Sequence, residues 1–248
     1  MAKPKKDADR RAVVEQMRKE QQRKERRQGF LIIGSAVLVG AVILGFAGWQ
    51  IWKADEDGGG GSALDAIGVA PAEAGCQDIT VEEAVEGAND HRQQGESVEY
   101  DAAPPAAGPH WGNFLLPNQI RPFWTTDDRP AVEQLVHSLE HGHTILWYDE
   151  TIADDDAALE EVEELAEEAA DSEDAEAKFM AAPWTADDGE PFPDGAHVAL
   201  THWSIGGDGD PTGEQQGIWQ YCDAVSGEAV ADFVAEYPRT DAPEPNAP

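Results

Sequence analysis

The stretch FLIIGSAVLVGAVILGFAGWQIW, Phe30 to Trp52, constrains this chain more than any other feature. It carries no charge and a single amide, Gln50, near its end. At about 1.5 Å per residue a helix of this length spans roughly 34 Å, enough to cross a hydrocarbon layer of about 30 Å. Trp49 and Trp52 sit at its C-terminal end, where amphipathic rings favour a membrane interface. A core helix apolar all round for this length is uncommon. The expectation is one N-terminal transmembrane helix over residues 30–52.

The flanks give an orientation. Residues 1–29 hold 11 Lys+Arg against 5 Asp+Glu, whereas the body beyond the span holds most of the 50 acidic residues in a chain of net charge −33. The positive-inside rule puts the basic head, 1–29, in the cytoplasm and the acidic body outside. The apolar run exceeds an ordinary signal-peptide core and no A-x-A site follows closely, so the segment reads as an uncleaved signal anchor in the cell membrane. The head contains RKEQQRKERRQ, but no aromatics to stack on bases. Directly before a span it reads as a topology signal in contact with anionic lipid, and nucleic acid is not an expected partner.

Cys76 and Cys222 stand near the two ends of the acidic body. An even count in an oxidising exterior points to a disulfide between them, free buried thiols being the other reading. Residues 53–75, with GGGGS at Gly58 to Ser62, read as a flexible tether. The ordered domain is expected over 76–238, with a Pro-rich tail at 239–248.

Within the domain, residues 90–128 are loop-rich, ordered by packing of Trp111, Phe114, Phe123 and Trp124. PAVEQLVHSLEH then carries an i, i+3, i+4, i+7 stripe of Val132, Leu135, Val136 and Leu139, with Pro130 just ahead of it and Gly142 as the C-terminal stop. HTILWYD reads as a buried strand. DDDAALEEVEELAEEAADSEDAEA reads as an acidic amphipathic helix with Leu159, Val162 and Leu165 inward. KFMAAPW and AHVALTHW read as strands, and SGEAVADFVAEY as a helix capped by Ser226. The order helix, strand, helix, strand, strand, helix predicts an α+β domain with a small mixed sheet and covering helices, the strand–helix–strand unit forming a parallel crossover. The acidic helix places its carboxylates on a solvated face without the loop of a calcium-binding hand, and DGDPTGE near Asp208 lacks the full pattern as well.

HSLEHGH, His137 to His143, concentrates three of the seven histidines beside Glu140. His137 and His141 are i and i+4 on one helix face, a spacing that lets two imidazoles share an ion. His143 follows the turn at Gly142, and His110 follows a Pro-rich loop. The expected metal ligands are therefore His110, His137, His141 and His143. The alternative is that these rings brace the helix–strand corner through backbone carbonyls. His137-Ser-Leu-Glu140-His141 also matches H-x-x-E-H, in which Glu140 would be the general base of a zinc hydrolase. Such motifs normally lie inside a longer helix than one ended by Gly142. With the cysteines paired and Met180 the domain's methionine, imidazole and carboxylate donors suit Cu(II) or Zn(II). His202 is expected to pack inward, and His91 and His197 to be exposed loop or edge residues.

PPAAGPH, VHSLEHGH running into TILWY, AAPW, VALTHW and the closing APEP resemble the uncharacterised family catalogued as domain of unknown function 3105, over roughly Cys76 to Pro245. The resemblance implies an envelope protein with one N-terminal span after a basic head, and it makes a shared site at His110, His137 and His141 an expectation. Ala106 and Ala107 stand where the family usually has Thr and Ser, which argues against a hydroxyl nucleophile. The functional expectation is a membrane-anchored extracytoplasmic domain that binds copper or zinc. The alternatives are a metal-free envelope module with a protein partner and a zinc hydrolase.

Overall fold

A computed structural model describes residues 62–171, 178–193, 195–206 and 214–248. The predicted span Phe30–Trp52 and the basic head lie outside the described residues. Among the described residues no helix is long and apolar enough to cross a membrane.

The elements, in chain order, are β1 (Thr80–Glu83), β2 (His91–Arg92), β3 (His110–Trp111), α1 (Val132–Glu140), β4 (Thr144–Tyr148), α2 (Glu150–Ala153), α3 (Asp156–Asp171), β5 (Phe179–Pro183), β6 (Val198–Ser204), β7 (Gln216–Cys222) and α4 (Gly227–Glu236). Five strands form one mixed sheet in the order β1-β7-β6-β4-β5. β4 and β5 are parallel, joined through α2 and α3, and the remaining neighbours are antiparallel. This is the α+β class expected from the sequence, with two additions to the sheet, β7 and β1. β2 and β3 pair separately as a short parallel ribbon.

The central strands β4, β5 and β6 are buried at every position because both faces of the sheet are covered there. Side chains alternate between the faces along each strand. Leu146 and Tyr148 of β4, Phe179 of β5 and Leu200 of β6 join a core with Val162 and Leu165 of α3 and Phe233 of α4. Ile145 and Trp147, Met180, and Ala199 and Trp203 face the opposite way and pack with Leu135, Val136 and Leu139 of α1. Each fully buried Leu-sized side chain in these layers stabilises by about 1.5–3 kcal/mol relative to exposure. The outer edge of β5 is covered by residues 122–124, since Ala181 N donates to Pro122 O (2.7 Å) and Trp124 N to Ala181 O (3.0 Å). Covering that edge removes a row of unpaired backbone groups that would otherwise invite another strand.

Two boundaries differ from expectation. Residues from Ser62 onward, assigned to the tether, dock against the domain: a 3-10 turn at Ala63–Ala66 buries Leu64, and Gly68 bridges Ser226. Leu64 and Ile67 supply apolar area that a Gly- and Ala-rich context disguises. The tail also folds back. Asp241 and Ala242 are buried, and the Lys178 ammonium donates to the carbonyls of His141 (2.7 Å), Pro245 (3.3 Å) and Ala247 (2.6 Å). Cys76 and Cys222 form the expected disulfide, with a sequence separation of 146. A structural disulfide is the chemistry of an oxidising, extracytoplasmic compartment.

Candidate metal centre

The site is built where α1 meets the β2–β3 ribbon. α1 ends abruptly: Gly142 N donates to Leu139 O (2.9 Å) and His143 N to Ser138 O (3.0 Å), the paired bonds of a Schellman stop. Gly142 has φ +93°, and a Cβ there would lie 2.6 Å from Arg239 O, so only glycine fits the turn. The last turn of α1 thereby holds His137 and Glu140 on one face, with His141 beside them.

The opposing side is the loop containing PPAAGPH. Its carbonyls at Ala103 and Pro104 accept from Tyr221 Oη (2.9 Å) and Trp219 Nε1 (2.8 Å) of β7, and Pro109 O accepts from Tyr100 Oη (2.8 Å). These bonds fix a segment whose composition forbids regular structure. In the ribbon, His91 is the register partner of His110. Their ring centroids are 4.8 Å apart, and His137 lies 4.6 Å from His110 and 5.1 Å from His91.

Glu140 is at the centre of this arrangement, 1% exposed. Its Oε2 lies 3.1 Å from His110 Nε2, 3.8 Å from His91 Nε2 and 3.9 Å from His137 Nε2, while Oε1 accepts from Asn89 Nδ2 at 2.7 Å. One ligand atom from each of His91, His110, His137 and Glu140 falls within 4.8 Å of the others. A tetrahedral ion with bonds of about 2.0–2.1 Å separates its donors by roughly 3.4 Å, which the spacings around Oε2 approach.

The hydrogen bonds select the ligand atoms. His110 Nδ1 is bonded to Gly108 O (2.8 Å) and His137 Nδ1 to Trp111 O (2.6 Å). A carbonyl accepts only, so each Nδ1 carries a proton and each Nε2 is left as the ring atom that faces Glu140. Burial pushes the His137 imidazole down to about 4, and the neighbouring His110 and His141 add to this, so it is neutral near pH 7. Burial pushes the Glu140 carboxyl up, but the approach of His110 and the bond from Asn89 outweigh it and hold the group below its usual range. The result is a carboxylate ringed by imidazole nitrogens. His110 Nε2 and Glu140 Oε2, although 3.1 Å apart, are off the line of a hydrogen bond and have no aligned partner. Buried polar atoms left so cost about 1–3 kcal/mol each, a penalty that a coordinated cation removes.

The sequence-predicted ligands are distributed unequally. His110 and His137 are brought together. His141 is not in their group: its Nδ1 is bonded to Pro248 O (2.8 Å), and its Nε2 faces Glu244 Oε2 at 3.7 Å in a second group of Glu140, His141 and Glu244. His143 is in neither group. It turns back beneath the helix, bonded through Nδ1 to Ser138 O (3.0 Å). H-x-x-E-H therefore does not close on itself as a zinc-peptidase site. His91 is the missed member. It is a half-exposed edge residue, as expected, but its ring points at Glu140. His202 packs inward as expected, and His197 pairs with Asp149 at 2.8 Å.

The sequence model of a family described as protein of unknown function (DUF3105) matches residues 91–248. The chain belongs to the DUF3105 family. Every residue of both donor groups in this DUF3105 member lies inside the matched segment. A model described as inhibitor of host cell division protein domain matches residues 8–48, a minor share of the chain and outside the described residues. No curated protein and no solved structure matches the chain.

Proposed function

We propose that this DUF3105 protein is anchored by the span Phe30–Trp52 and carries outside the membrane a domain that binds one divalent transition metal, Cu(II) or Zn(II), through His91, His110, His137 and Glu140. The observation that carries the reading is the buried pair His110 Nε2 and Glu140 Oε2, 3.1 Å apart without hydrogen-bond alignment, with two further imidazole nitrogens within 4 Å of the same oxygen. The donor set is three imidazoles and a carboxylate, with both cysteines tied in the disulfide and Met180 in the core, which favours Cu(II) or Zn(II) over Cu(I). The half-exposed His91 leaves a route for the ion from solvent. The partners that go with this reading are the bilayer, through the one span, and a further envelope protein.

Calorimetry on the full-length chain in detergent, without an affinity His-tag and stripped by chelator, tests it. A saturable event with ZnCl2 or CuCl2 is expected. The affinity should fall in H91A by at least the factor of about 10–100 that loss of a supporting contact costs, and the ion held by His110 and His137 should be lost in an H110A/H137A double variant. Equal binding by the double variant sinks the assignment, and no saturable binding by the wild-type chain makes a metal-free interaction module the better reading. Anchoring is tested separately with a periplasmic-type enzyme reporter fused after the domain: activity outside the membrane supports the orientation, and its loss on deleting residues 30–52 supports the span.

A further inference from the structure

We propose that Glu140 bridges two ions, the second held by His141 and Glu244. The inference rests on the metal-binding reading above and extends it from a single ion to an asymmetric dinuclear centre. Glu140 belongs to both groups of converging donors: the His-rich set with His91, His110 and His137, and a carboxylate-rich set with His141 and Glu244.

His141 is prepared like His137. Pro248 O accepts from its Nδ1 at 2.8 Å, which leaves the Nε2 lone pair for an ion. That nitrogen lies 3.7 Å from Glu244 Oε2. The position of Glu244 is a built one. Its amide donates to Glu140 O at 2.9 Å, and Lys178 grips the carbonyls of Pro245 and Ala247 on the residues that follow. The ring of Phe114 lies over both parts, with centroids 5.5 Å from His137 and 5.2 Å from His141. Ions in two-metal sites sit about 3.5–4 Å apart, a spacing that one carboxylate spans. The two His rings on successive turns, 4.5 Å apart by centroid, match that scale. The second position offers harder donors than the first. The Glu244 side chain is 55% exposed, so water completes its shell. The repulsion between two dications is offset by Glu140, by Glu244 and by an acidic body in a chain of net charge −33.

Cu(II) titration of the full-length, chelator-stripped chain, followed by calorimetry and electron paramagnetic resonance, decides it. The expected result is two equivalents per chain, with a single-ion spectrum at one equivalent and an integrated intensity well below two spins at two equivalents. E244Q and, independently, H141Q should each bind one equivalent and retain the single-ion spectrum, with tryptophan fluorescence reporting the fold. One equivalent in the wild type, or two equivalents with full, uncoupled spin intensity, overturns the bridge and leaves the first site standing. No saturable Cu(II) binding overturns the first site as well.

Discussion

His143 and His202 lie side by side behind the candidate site, and burial pushes their imidazoles down to about 3 and about 4 respectively. His143 faces Lys178, His141 and His202, whereas Asp241 opposes the shift at His202. Both are neutral in the folded chain at pH 7. In the unfolded chain each takes up a proton near the usual 6.5, so the unfolded state binds more protons as pH falls below that value. Stability is therefore expected to be full above about pH 6.5 and to decline toward pH 4, by up to about 1.4 kcal/mol per pH unit for each ring. Urea midpoints at pH 7.5 and 5 check this, and H202Q should flatten the dependence. Protonation of these rings also bears on how the site was legible. HSLEHGH announces clustered imidazoles, and the i, i+3 spacing of His137 and Glu140 announces a shared face. Nothing in the spacing says that His143 turns back on the helix or that His141 faces the tail, because both outcomes depend on carbonyls of Ser138 and Pro248. His91 is hidden for another reason: the ribbon that pairs it with His110 is two residues long, too short to leave a periodic trace.

At the level of elements, the corner at Gly142 sets the geometry of everything that follows α1. Gly142→Ala should cost about 1–3 kcal/mol, from the left-handed backbone and the encounter with Arg239 O, and denaturant unfolding measures it. The variant should also weaken metal binding, since the same stop aims His137 and Glu140. The long apolar runs of β4, β5 and β6 and the capped stripes of α1 and α4 could be read directly, because burial on one or both faces writes itself into hydrophobic periodicity. β1 could not. All four of its residues are exposed, and it is a strand through its backbone pairing with β7 alone. β7 hides its pattern behind Gly217 and Gln220, and its role emerges only when Trp219 and Tyr221 are seen holding the Pro-rich loop.

The described domain as a whole is tied by the disulfide between Cys76 and Cys222. Reduction, or a C76S/C222S pair, should lower unfolding free energy by about 2–5 kcal/mol, read as a shifted denaturant midpoint with an unchanged fold at low denaturant. The cross-link also makes a closed covalent circuit of the chain between two cysteines whose sequence separation is 146. His91, His110, His137, Glu140 and His141 lie within that circuit, whereas Glu244 lies outside it on the trailing segment. A single protease cut in any loop of the circuit thus leaves both pieces joined on a non-reducing gel, with the imidazole donors on one connected molecule. A cut after Cys222 instead frees the trailing piece from the covalent circuit and takes Glu244 with it, so limited proteolysis can dissect one half of the proposed centre from the other.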